Sequence, residues 1–245
     1  MTQVVSYGED PLQSLKEFNY NPQNQKTLIF IHGGAWRDPH NTYDDFGELI
    51  DQLPRNVNYF SLNYRLSPQS KHPDHLEDVI YALKFLETHY NVKRALLVGH
   101  SVGATLILQL LTYKTLLGER MISPHVIELE NLYFLDGIYD IVELLAEYPT
   151  YLLFVNEAFD SETDYANATA ISRPTMNFEL DFGHIFILQS LDDELLSERQ
   201  LDFFAHYLKK KCIAFEDRRG HWGKHEEVYR RGEIAEILRT SMQLD

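Results

Sequence analysis

A chain of 245 residues, 44% of them hydrophobic and with a formal net charge of −15, has the length and apolar content of one globular domain. Its composition argues against disorder, a collagen-like sequence and a disulfide scaffold, the last because Cys212 is the only cysteine. The acidic balance argues against nucleic acid and anionic membranes as partners. No apolar run spans a bilayer, and residues 1–10 lack the basic and apolar blocks of a signal peptide. A soluble cytosolic protein acting on a small molecule is expected.

In chain order, strand and helix alternate. Residues 28–31 form a short apolar run that reads as a buried strand leading into the loop His32-Gly33-Gly34. A helix is predicted over 43–53, with Phe46, Leu49 and Ile50 on one face and Pro54 beyond its end. The next strand covers 57–64. Pro73 suits a first helical turn, where no N–H is needed, and Leu76, Val79, Ile80, Leu83 and Leu86 then recur at helical spacing. A third strand over 95–98 stops at Gly99, and 102–111 is apolar on nearly all sides, as in a helix buried against a sheet. Further strands are predicted over 132–135, 185–188 and 213–215, with helices over 197–208 and 226–238 after the last two. Cys212, just before the last strand, reads as a buried small hydrophobe.

Between 141 and 174 the alternation gives way to aromatic and apolar residues interrupted by Pro149, which reads as a small helical cap over the sheet. Residues 176–182 read as either an added strand or a loop. The whole is an α/β fold: a single domain over 1–245, a mostly parallel central sheet with helices on both faces, and a cap-like insertion at 141–174.

Gly99-His100-Ser101-Val102-Gly103 follows a predicted strand and opens a predicted helix. In that setting G-x-S-x-G describes a nucleophile elbow. The serine hydroxyl stands above the sheet on a strained turn, and the flanking glycines remove colliding side chains. The positive helix end and the Val102 N–H favour negative charge developing beside it. His32-Gly33-Gly34-Ala35-Trp36 ends the strand one strand-helix-strand unit earlier, so Gly33, Gly34 and Ala35, with Val102, are the candidate oxyanion-hole donors. His32 is expected to orient this loop.

A serine nucleophile needs a histidine base, and that base needs an acid to set its tautomer. The acid belongs after the strand at 185–188, where Asp192 and Asp193 both qualify. The base belongs in the loop 217–225, which offers His221 and His225. His225 directly precedes the last predicted helix, whose Val228, Ile234, Ile237 and Leu238 can anchor it, whereas His221 is flanked by Gly220 and Gly223. The other histidines, at 40, 72, 75, 89, 125, 184 and 206, lie elsewhere. His72 and His75 have metal-like spacing but no third ligand nearby, so no metal is expected. No phosphate loop, dinucleotide fingerprint or thiol cluster points to a cofactor.

These motifs resemble those of the fungal type of kynurenine formamidase (arylformamidase), within the α/β-hydrolase superfamily, over most of the chain from 27 to 238. His32-Gly33-Gly34-Ala35-Trp36 is similar to that family's HGGxW motif, and Gly99-His100-Ser101-Val102-Gly103-Ala104 to its elbow. Asn63-Tyr64-Arg65-Leu66 and Gly137-Ile138-Tyr139-Asp140 are similar to segments of related esterases. Asp193 directly precedes Glu194-Leu195-Leu196, as the family's acid does, and His225 is followed three residues on by Val228-Tyr229, as the family's histidine is. The resemblance thus implies a triad of Ser101, Asp193 and His225. It implies hydrolysis of N-formyl-L-kynurenine to L-kynurenine and formate, a step of tryptophan degradation toward NAD, by a homodimer. For such a substrate Trp36 and cap aromatics are candidates to hold the ring, and Arg37 or Arg65 to hold the carboxylate. Two other readings share the same residues. One is a carboxylesterase of small esters, which uses every one of these catalytic parts. The other is a non-catalytic binding protein of this fold, which a missing triad member would favour.

Overall fold

The computed structural model describes residues 2–120, 127–169, 171 and 177–242. At its centre is one eight-stranded sheet in the order β1-β2-β4-β3-β5-β6-β7-β8. The strands are β1 (Gln3–Ser6), β2 (Ser14–Asn19), β3 (Lys26–Ile31), β4 (Val57–Leu62), β5 (Arg94–His100), β6 (Glu128–Leu135), β7 (Ile185–Ser190) and β8 (Phe215–Gly220). β1 pairs with β2 and β2 with β4 in antiparallel fashion; every other pairing is parallel. A parallel sheet must be covered on both faces, and side chains alternate along each strand to serve the two covers. In β3, Leu28 and Phe30 join one core while Ile29 and Ile31 join the other.

The helices are α1 (Gly47–Ile50), α2 (Asp74–Tyr90), α3 (Val102–Leu110), α4 (Tyr113–Leu117), α5 (Ile141–Glu147), α6 (Leu152–Ala158), α7 (Glu162–Ala168), α8 (Arg199–Lys210) and α9 (Gly232–Met242). α1 and α9 cover the face shared with Phe30, and α2, α3 and α8 cover the face shared with Ile31. Every residue of α3 is buried, Thr105 and Gln109 included, as a sequence apolar on nearly all sides implied. The predicted cap stretch forms α5–α7, with a 3-10 turn at Pro149–Tyr151 where the proline interrupts it. None of the described helices is long and apolar enough to cross a membrane.

Several boundaries differ from the sequence expectation. The helix expected over 43–53 is α-helical only at Gly47–Ile50, with turns on both sides. Gly99 does not stop β5, which runs on to His100. The strand expected over 213–215 is β8, which begins only at Phe215. Residues 212–214 are instead the turn that leaves α8: Cys212 adopts a φ of 56° and donates its N–H to the Lys209 carbonyl. That geometry puts Cys212 on the surface, not in the core. The helix expected over 226–238 divides into a 3-10 turn, Val228–Arg230, and α9. Of the region 176–182, Phe182 forms an isolated bridge with Leu129 and no full strand is seen among the described residues. His125, Met176 and the cap positions 170 and 172–174 lie outside the described residues.

Candidate active site

Ser101 sits between β5 and α3 with φ 53° and ψ −117°, a backbone conformation that costs a non-glycine residue about 1–3 kcal/mol. The turn is held by the Ser101 N–H, which donates to the Leu135 carbonyl at the end of β6 (2.9 Å). It is crowded into place from below. A Cβ on Gly103 would lie 2.0 Å from the Ile31 carbonyl oxygen, so α3 can meet the end of β3 only through a glycine. As the first residue of α3, Val102 has an N–H without an intrahelical acceptor.

The glycine loop follows β3 directly. Gly34, Ala35 and Trp36 all have positive φ (89°, 49° and 61°). The loop curls on itself, with the Arg37 and Asp38 N–H groups both donating to the Gly34 carbonyl. Tyr64 underpins it: its hydroxyl donates to the Gly33 carbonyl (2.7 Å), and its ring stacks on His32 at 4.5 Å. His32 Nδ1 lies 3.0 Å from the Gly33 oxygen, and burial lowers its pKa to about 4, so it is a neutral loop support. Gly34 and Ala35 line the same cleft as Ser101 and His225. Gly33 does not line it, but a Cβ there would stand 3.0 Å from the Ser101 Cβ.

The two aspartates and two histidines left open by position form two separate pairs. Asp193 Oδ2 meets His225 Nδ1 at 2.7 Å, and Asp192 Oδ1 meets His221 Nδ1 at 2.8 Å. The first pair is buried, its side chains 0% and 4% exposed; the second lies in solvent at 42% and 77%. Of these four residues, only His225 lines the cleft with Ser101. Asp193 Oδ1 also accepts the Leu195 and Leu196 N–H groups (2.8 and 2.9 Å), which fixes the carboxylate in the loop after β7. Burial alone would lower the His225 pKa. The hydrogen bond and charge of Asp193, helped by the Glu226 carboxylate, outweigh that, and the net shift is upward. Ser190 ties the two loops together by donating to the Gly223 carbonyl at 2.5 Å.

Two candidates for substrate contact are displaced. Trp36 is 1% exposed and does not line the cleft; it packs behind it against Phe154 and, edge-on, Phe159. The positive φ of Trp36 turns its ring under the cap, and Phe154 is the aromatic that reaches the opening. Arg65 is committed elsewhere, gripping both oxygens of the buried Asp78 through Nε and Nη2. Arg37 does line the cleft and spends Nη1 on Glu157 (3.0 Å). His75, 1% exposed, has its Nε2 3.2 Å from the Ser67 hydroxyl, and His72 packs on Phe159.

The cleft is about 250 Å³, with an apolar wall of Ile138, Tyr151, Phe154, Leu195 and Leu196 and a polar rim of Arg37, Asp38, Asn41 and Glu226. Three groups at the site went unread in the sequence. Glu226 accepts from Asn41 (3.0 Å) and Tyr229 (2.8 Å) beside His225, and Glu194 accepts the His225 N–H (3.0 Å). Asp136 is buried at the end of β6, where an acid immediately after an apolar strand was the available signal.

The family model BD-FAE matches residues 18–126. A protein of Meyerozyma guilliermondii named kynurenine formamidase is 47% identical over 239 residues, covering 97% of this chain and 92% of its own. One of the same name from Debaryomyces hansenii is 40% identical, covering 98% of this chain and 99% of its own, and one from Saccharomyces cerevisiae is 32% identical, covering 87% of each. Among solved structures, esterase B of Lactobacillus rhamnosis superposes with a TM-score of 0.77 over 99% of this chain and 84% of its own, at 15% identity, a likeness of fold alone. With such identity along nearly the whole of both sequences, the chain belongs to the kynurenine formamidase family of α/β-hydrolases.

Proposed function

We propose that the chain hydrolyses N-formyl-L-kynurenine to L-kynurenine and formate, with Ser101 as nucleophile, His225 as base and Asp193 as the acid that orients it. The observation that carries this is a buried Asp193–His225 pair whose histidine lines one cleft with a serine on a strained elbow. Because Nδ1 of His225 donates to Asp193, Nε2 is left as the acceptor for the Ser101 proton. Ser101 Oγ attacks the formyl carbon while Nε2 takes the hydroxyl proton. The N–H groups of Val102 and of the loop Gly33-Gly34-Ala35 receive the oxyanion. On collapse the C–N bond breaks and His225 returns the proton to the departing arylamine. Water, deprotonated by His225, then attacks the formyl ester of Ser101, and formate leaves.

Chain groups supply nucleophile, base and oxyanion donors, so the reaction asks for no cofactor. The acyl side need hold only a hydrogen, which suits a cleft closed by the glycine loop. The apolar wall receives the aromatic ring through Phe154 and Tyr151, and Arg37 offers its remaining guanidinium donors to the substrate carboxylate. The same reading treats α5–α7 as the cap of a single domain and places the enzyme in the cytosol.

The test is turnover of N-formyl-L-kynurenine by the purified protein, compared with a short p-nitrophenyl ester. A higher kcat/KM on the formamide supports the reading, and a strong preference for the ester points to a carboxylesterase. Ser101→Ala should abolish both activities, by on the order of a millionfold, and abolish labelling by a fluorophosphonate.

A further inference from the structure

Behind Asp193 stands a second carboxyl group that this chemistry leaves unused. Asp136 ends its strand with φ 44° and is fully buried. Its N–H donates to the Leu188 carbonyl (2.9 Å) and its Oδ1 accepts the Ser190 N–H (2.7 Å), so it is fixed along β7. Its Oδ2 is also buried but accepts no hydrogen bond. One oxygen of Asp136, one of Asp193 and a ring nitrogen of His225 all lie within 4.8 Å of one another. Asp193 meanwhile accepts from Leu195 and Leu196 on Oδ1, and on Oδ2 from His225 at 2.7 Å and, at the long distance of 3.4 Å, from Gln189.

We propose that Asp136 rests as a neutral carboxylic acid whose Oδ2–H donates to Asp193, making it a positioning residue that holds the acid against His225. The proposal rests on the roles given above to Asp193 and His225.

As a carboxylate, Asp136 would bury a lone oxygen without a donor and set a second negative charge beside Asp193. As an acid, the same oxygen sheds that charge and has a proton to donate toward Asp193, whose Oδ2 is met by Gln189 only at 3.4 Å. The titratable groups facing it are Asp193 beyond β7, His225 beyond β8, Tyr139 just past β6, and His100 at the end of β5, which packs on His225. None is a fixed cation. His225 is a cation only below its raised pKa or during turnover, and burial keeps His100 neutral. Burial first, and then the charge of Asp193, hold the Asp136 carboxyl well above the usual carboxylate range.

The test uses Asp136→Asn, whose amide can accept from Ser190 with its oxygen and donate to Asp193 with its nitrogen, and Asp136→Leu, which can do neither. If Asp136 is an acid, Asp136→Asn removes no charge. Turnover should stay within about threefold of the parent, and the acid limb of the kcat/KM profile should not move. Asp136→Leu should lower kcat about a hundredfold through a misplaced acid, with KM little changed.

A readout independent of any substrate comes from linkage. Above about pH 4 the native parent holds a proton that the unfolded chain has lost, so parent stability falls as pH rises. In urea unfolding from about pH 5 to about pH 8, the folding constant of Asp136→Asn relative to the parent should rise about tenfold per pH unit until Asp136 titrates. A flat ratio, or a downward shift of the acid limb in Asp136→Asn, would mean an ionised Asp136 and overturn the proposal. So would Asp136→Asn losing as much kcat as Asp136→Leu. A wrong substrate assignment would look different: no turnover of N-formyl-L-kynurenine by the parent, with the unfolding ratios unaffected.

Discussion

Asn at position 193 should lower turnover about ten-thousandfold, while Asn at 192 should change it less than about threefold. The magnitude follows from which atoms Asp193 has already committed. Its Oδ1 accepts two backbone N–H groups, from Leu195 and Leu196, at 2.8 and 2.9 Å. In Asp193→Asn the amide oxygen therefore keeps that side, because turning the NH2 toward two donors would forfeit both bonds, about 1 kcal/mol each or more, and bury clashing hydrogens. The amide nitrogen is left facing His225 Nδ1 as a donor. The imidazole must answer with Nδ1 as acceptor, which moves its proton to Nε2, and an Nε2–H cannot take the proton of Ser101. The fold is preserved and the base is lost; a ten-thousandfold loss corresponds to about 5.5 kcal/mol of barrier. Asp192 has the same kind of partner in His221, but that pair is solvated and outside the cleft. The assay is steady-state kcat on N-formyl-L-kynurenine for both variants, with circular dichroism to verify folding. If Asp192→Asn is the inactive variant, or Asp193→Asn keeps more than about a hundredth of the parent rate, the account of the site is wrong.

The histidines should divide in the same way: His225→Ala should eliminate turnover and His221→Ala should keep most of it, and the reverse ranking in folded variants would move the base to the surface pair. The pH profile should also carry a sign. His225 must be neutral to accept a proton and Asp193 raises its pKa, so the acid limb of kcat/KM should have its midpoint above the ordinary histidine value of 6.5; a midpoint below that value would contradict the buried ion pair. Arg37→Ala should raise KM for the amino-acid substrate about tenfold with kcat little changed, and leave a neutral ester unaffected. An unchanged KM would show that the substrate carboxylate is held elsewhere.

The legible parts of the sequence were those where one residue type answers one physical demand. Gly103 is such a place, since no other side chain fits beneath Ile31, and the elbow could be located to the residue. The apolar strands β3, β5, β6 and β7 were legible because both faces of the sheet are covered. β1, β2 and β8 were not, or not accurately: they lie toward the edges, carry polar residues and leave much of their surface exposed. Asp192 and Asp193 could not be separated by pattern, because a loop has no period to say which neighbour turns inward. Trp36 was misjudged for a related reason. Its three-residue run of positive φ carries the ring beneath the cap, and nothing in His32-Gly33-Gly34-Ala35-Trp36 records where a cap will land.

The contact between Gly103 and Ile31 has a consequence for how this scaffold can change. The spacing between the serine elbow and the glycine loop is set by main chain meeting main chain, where α3 abuts the end of β3. Tyr151 and Phe154, which line the apolar wall of the cleft, belong to the stretch between β6 and β7. Selection or design can therefore rewrite that stretch, and with it one wall of the cleft, without shifting the serine elbow against the glycine loop, whereas almost any side chain at position 103 would pry the two apart.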